Sequence, residues 1–211
     1  MTISNAESQG LVKILNQATV LMKKSRFLEA ANALEHGLAI YPTSKEILEQ
    51  LVDCNLELKR PQSALHILDR ITKTEPSALT AWAEKGFMHL LLNQNREGID
   101  ALTKSLELNP RKSHLWELLG LALMAEENWE EGLDAFDRSL LLDPNSAIAW
   151  YNRGVCFFFL EYFHEALTSV EQAYTIDPDL RDLAEDWISI LEEAVEDLGI
   201  DYISDFETSG S

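Results

Sequence analysis

The sequence predicts an all-α solenoid of stacked helical hairpins, and three regularities lead to it. Pro42, Pro76, Pro110, Pro144 and Pro178 recur every 34 residues, with only Pro61 outside the series. Small residues recur on the same period, and apolar residues stand between them at helical spacing. Setting each proline at position 32 of a unit divides the chain into 11–44, 45–78, 79–112, 113–146 and 147–180.

The columns then align. Position 4 holds Ile14, Leu48, Trp82, Trp116 and Trp150, and position 8 holds Ala18, Val52, Gly86, Gly120 and Gly154. Position 20 holds Ala30, Ala64, Gly98, Gly132 and Ala166, and position 24 holds Leu34, Leu68, Leu102, Phe136 and Val170. A large residue at 4, small residues at 8 and 20 and proline at 32 resemble the tetratricopeptide-repeat (TPR) family over residues 11–180. The resemblance implies a right-handed superhelical solenoid of five helix-turn-helix repeats whose usual work is protein–protein interaction.

Each element also has its own physical reason. Small residues at positions 8 and 20 let two antiparallel helices approach closely, which explains a helix-interior glycine costing about 1 kcal/mol against alanine. The proline ends each second helix by removing a donor and biasing its predecessor away from helix. Pro61 stands where the second helix of repeat 2 should begin, and proline suits a first helical turn. Repeat 1 has Gln17 in an apolar column, and repeat 2 has Val52 in a small column and Asn55 in a bulky one. Looser packing is therefore expected in the amino-terminal half. Repeat 5 carries two clear stripes: Trp150, Gly154 and Phe157, then Ala166, Val170 and Ala173. Residues 1–10 read as a flexible lead. Residues 181–199 read as a capping helix striped by Leu183, Trp187, Leu191, Ala194 and Leu198, because a last repeat otherwise exposes its core face. Residues 200–211 read as a flexible acidic tail that either solvates the chain or docks through Tyr202, Ile203 and Phe206.

Composition narrows the function. The chain has 211 residues and a net charge of −19, which disfavours nucleic acid and anionic lipid and favours basic or neutral protein partners. Cys54 and Cys156 stand far apart and suggest no disulfide framework. The polar start lacks a secretory signal, and the longest apolar run, Val155–Leu160, is too short for a bilayer, so a cytoplasmic protein without membrane insertion is expected. No phosphate-binding glycine loop, nucleophile elbow or His-Glu-x-x-His pair occurs. His36, His66, His89, His114 and His164 are never three or four residues apart, as a helical metal site would need. No enzyme, cofactor or metal is expected.

The TPR resemblance implies a concave groove lined by positions 2, 5, 9, 12 and 13 of the leading helices. In repeats 1 and 2 these are mixed or acidic: Thr19 and Lys23, then Glu46, Glu49, Asp53 and Glu57. In repeats 3 to 5 they turn apolar, giving a candidate partner-binding set of Phe87, Leu91, Leu121, Met124, Tyr151, Val155 and Phe158. His114, Glu117 and Asn152 add polar points. Positions 12 and 13 are open to two readings: Leu90, Leu91, Phe158 and Phe159 either line the groove or are covered as core. The expected partner is a peptide or amphipathic helix with apolar and basic residues. Self-association through the apolar face or a solenoid end, giving a homo-oligomer, is the alternative. The Lys and Asn pair with which TPR co-chaperones grip a terminal carboxylate is missing at positions 5 and 9.

Overall fold

The computed structural model describes residues 5–183 together with Ile188 and Leu191. The chain divides into two compact units, Met1–Pro110 and Arg111–Ser211. The first holds α1 (Asn5–Lys23), α2 (Phe27–Ile40), α3 (Lys45–Glu57), α4 (Pro61–Thr74), α5 (Leu79–Leu91) and α6 (Asn95–Leu108). The second holds α7 (Ser113–Ala125), α8 (Trp129–Leu142), α9 (Ala147–Phe159), α10 (Phe163–Ile176) and a 3₁₀ turn, Pro178–Leu183. No strand occurs among the described residues. Within each unit every helix packs on the next, as stacked hairpins require.

The small columns do what their spacing suggests. A Cβ on Gly154 would lie 2.6 Å from Val170 Cγ2 and 3.1 Å from the Ala166 carbonyl oxygen. On Gly120 it would stand 2.7 Å from the Phe136 ring. Position 8 thus meets position 24 of its own hairpin. The looser packing expected of repeat 2 is not observed: α3 buries Ile47, Leu48, Leu51, Val52, Cys54 and Asn55. Val52 shares a continuous cluster with Ala64, and Asn55 Nδ2 donates to the Leu51 carbonyl at 2.8 Å. The extra methyl groups fill space, and the polar side chain is satisfied within its own helix.

Every hairpin turn uses one device. Ser25, Lys59, Asn93, Glu127 and Glu161 all have positive φ, between 54° and 64°. Around each, paired hydrogen bonds close the helix end: Glu127 N–H donates to Met124 O at 2.9 Å and Asn128 N–H to Leu123 O at 3.0 Å. This is a Schellman motif, usually built on glycine because a Cβ is strained in the left-handed region.

Neighbouring hairpins are joined by polar contacts at fixed offsets. Trp82 Nε1 donates to the Pro76 carbonyl and Trp150 Nε1 to the Pro144 carbonyl, each at 2.9 Å. Lys85 pairs with Asp69 at 2.7 Å, and Arg153 with Asp137 at 2.6 Å. The ends differ from expectation. Asn5–Gly10 belong to α1 rather than to a flexible lead, and Tyr41, which closes α2, lies against Gly10. Arg181–Leu183 lie in a 3₁₀ turn, so the expected capping helix does not start at 181. Pro178 and an Asp177 carboxylate that accepts the Asp179 N–H at 3.2 Å shape that turn. Leu191 is helical and buried against Ala166 and Leu167. Trp187, Ala194, Leu198 and the acidic tail lie outside the described residues.

Two substitutions test this packing. Gly154→Ala should destabilise by about 1–3 kcal/mol, because β-branched Val170 cannot swing clear. Glu127→Gly should stabilise by about 1 kcal/mol by relieving the left-handed backbone. Both are read as urea-midpoint shifts at constant slope.

Candidate functional site

The hairpin geometry decides which residues of each leading helix reach solvent. Position 12 packs over the small residue at position 20. A Cβ on Gly98 would lie 2.6 Å from Leu90 Cδ2, and one on Gly132 would lie 3.5 Å from Met124 Cγ. Phe158 packs against the cluster of Ala166, Leu167 and Leu191, with its ring 5.9 Å from that of Phe163. Met124 and Phe158, both expected in the groove, are half-buried and pack in part against the core of their own hairpins. Position 13 turns outward instead: Leu91 is 55% exposed and Phe159 52%.

In the first unit, Phe87 and Leu91 are exposed on α5. Beside them α3 and α5 enclose a cleft of about 350 Å³, lined by Lys45, Glu49, Asp53, Glu75 and Glu84 among others. Lys45 is held by Glu75 at 2.7 Å and stands 3.8 Å from Glu49. Among the described residues, neither Asp53 nor Glu84 has a hydrogen-bond or ion-pair partner. Burial, then the charges of Asp53 and Glu49, pushes the Glu84 carboxyl up to about 7. Burial, then Glu57, raises Asp53. Glu84 stands at position 6 and escaped the sequence reading. Its signal was present: position 6 of repeat 3 faces positions 5 and 9 of repeat 2, both acidic.

In the second unit, Leu121 on α7 is 39% exposed and Ile148 on α9 is 53% exposed. His114 is exposed, while Tyr151, Asn152 and Val155 are half-buried. Asn152 Nδ2 donates to the Ile148 carbonyl at 2.8 Å, and Glu117 Oε1 accepts from Ser139 Oγ at 3.1 Å. Glu117 and Asn152, two of the three polar points expected in the groove, are thus engaged within their own hairpins. Phe159 stacks on Trp129 with ring centroids 4.0 Å apart and an interplanar angle of 8°. That aromatic platform and Ile148 are additions to the candidate set. Cys54 and Cys156 are buried free thiols, with Cys156 pushed up to about 12 by burial and by Asp137. A thiol held so far above neutrality is chemically quiet.

Among the described residues, no group of His, Cys, Asp and Glu is placed to hold a metal ion, and no helix is long and apolar enough to cross a membrane.

Three sequence profiles, each described as Tetratricopeptide repeat, match residues 21–84, 89–145 and 118–185. The chain belongs to the tetratricopeptide-repeat family. It is 33% identical over 76 residues to Superkiller complex protein 3 of Mus musculus. That match covers 35% of this chain and 5% of the mouse protein. Among solved structures, it superposes on MamA from Desulfovibrio magneticus RS-1 with a TM-score of 0.76 at 19% identity, covering 84% of this chain and 98% of that one. On YrrB, titled a TPR protein with an unusual peptide-binding site, the TM-score is 0.72 at 20% identity, covering 79% and 86% of the two chains. Likeness at these identities is likeness of fold.

Glu84 holds its proton more tightly folded than unfolded. Its contribution to stability is therefore fully present below the ordinary glutamate range and lost as pH rises through about 7. The melting temperature should fall between about pH 5 and about pH 8. Glu84→Gln should flatten that fall and raise the melting temperature at the upper end, as read by circular dichroism.

Proposed function

We propose that this protein is an interaction scaffold whose leading helices take a peptide or amphipathic helix bearing both apolar and basic side chains. The carrying observation is the face of the first unit. Exposed Phe87 and Leu91 share α5 with Glu84, which lines the cleft with Glu49, Asp53 and Glu75, and the cleft's cation, Lys45, is held by Glu75 at 2.7 Å. A partner's lysine or arginine would neutralise Asp53 and Glu84, which burial already strains, while its apolar neighbour covers Phe87. The second unit offers a more apolar face: Leu121, Ile148 and the Phe159–Trp129 stack. YrrB, a TPR protein with an unusual peptide-binding site, is a precedent on this fold, and a role in assembling larger complexes fits such a scaffold.

Peptides selected by phage display against the intact chain should place Lys or Arg next to an aromatic or aliphatic residue. Phe87→Asp should weaken the selected peptides about ten-fold to a hundred-fold, since one buried anchor supplies about 1.5–3 kcal/mol. Glu84→Gln with Asp53→Asn should weaken only those carrying a cation. Peptides that bind Phe87→Asp and Leu121→Asp as tightly as the parent, with unchanged thermal melts, would refute the reading.

A further inference from the structure

The outward face of α1 is the opposite of the rest of the molecule in charge. Residues 8 to 28 contain no acid but include Lys13, Lys23, Lys24 and Arg26, in a chain whose net charge is −19. Arg26 is paired with Glu29. Lys13, Lys23 and Lys24 are exposed, and among the described residues none of the three makes an ion pair. At 100° per residue, Val12, Lys13, Asn16, Val20 and Lys23 fall on one stripe spanning about 100° of α1, and Lys24 follows in the turn. The stripe is also apolar in part, because Val12 and Val20 are each 51% exposed. α1 packs on α2 and α3, and every residue of the stripe is exposed.

We propose that this stripe docks the carboxy-terminal segment, residues 192–211, of a second copy of the chain. That segment carries Glu192, Glu193, Glu196, Asp197, Asp201, Asp205 and Glu207, seven acids and no base. Within it Tyr202, Ile203 and Phe206 alternate with acids, matching a stripe on which valines alternate with lysines. The three free lysines meet an excess of carboxylates, and the two valines give the aromatic residues something to cover. The donor we assign is another copy, which a rise of mass with concentration distinguishes from a contact within one chain. Such a contact joins unlike surfaces, so copies add head to tail, into a ring where the rotation closes and an open chain where it does not. Neither the Phe87 face nor the acidic cleft takes part, and the contact stands or falls independently of them.

The test uses the intact chain by sedimentation velocity, and a fluorescent peptide of residues 192–211 by anisotropy. At low salt the mass should rise with concentration, and it should return to that of a monomer at about 0.5 M salt, where the screening length is only a few ångströms. The peptide should bind the intact chain, and Lys13→Glu with Lys23→Glu and Lys24→Glu should weaken it about ten-fold or more. Replacing Tyr202, Ile203 and Phe206 of the peptide by serine should weaken it as well. A control with the same charge change elsewhere, Lys73→Glu with Lys104→Glu and Lys112→Glu, should bind like the parent. A constant monomer mass at low salt, or an equal loss in that control, would overturn the proposal. All six lysines are exposed, and matched thermal melts exclude misfolding as the cause.

Discussion

The fold rests on one close approach, repeated in the third, fourth and fifth hairpins, where two helix backbones meet because no large side chain separates them. In the third hairpin the contact is backbone to backbone. A Cβ on Gly86 would lie 3.2 Å from the Gly98 carbonyl oxygen, and one on Gly98 would lie 3.4 Å from that of Gly86. Leu102 seals one side of the crossing and Leu90 the other. This geometry also decides what the surface becomes. It pulls position 12 of the leading helix down over position 20 and turns position 13 out. The exposure of Leu91 and Phe159 is thus a consequence of glycine and alanine on the other helix.

Much of this was legible in the sequence. Gly86, Gly120 and Gly154 stand at one spacing, and a helix-interior glycine needs a packing reason, so the crossings could be placed before any coordinates. The turns could not. Ser25, Lys59, Asn93, Glu127 and Glu161 share a backbone conformation but no residue type, and only Asn93 has a side chain that favours it. The candidate site was legible in part. Exposed Phe87 and Leu121 follow from an apolar residue on a face that would otherwise be polar. Met124 and Phe158 carry the same apolar signal but stand at position 12, where the second helix of the hairpin half-covers them. Glu84 was missed because its importance lies in what faces it from another repeat, a relation that a single helical wheel does not contain.

The electrostatics divide along the same lines. Where an acid of one repeat meets a base of the next, as in Asp69 with Lys85 and Asp137 with Arg153, the charges join neighbouring hairpins. Where acid meets acid, as in Asp53 with Glu84, nothing is joined, and burial, added to by the neighbouring charges, leaves a carboxyl that keeps its proton near neutrality. Natural sequences tend to retain such local conflict where it serves a purpose, and the adjoining exposed phenylalanine gives this one a context.

The indole-to-proline bonds limit how such a chain can change length. Trp82 reaches back six residues to the Pro76 carbonyl, and Trp150 does the same to Pro144. Removing one residue from the intervening turn would rotate the indole about 100° around its helix and carry the neighbouring cation away from its aspartate. Both joints would fail together. Growth or shrinkage by a single residue is therefore heavily penalised between repeats, whereas gain or loss of a whole 34-residue period leaves every joint in phase, so this architecture lengthens in fixed steps.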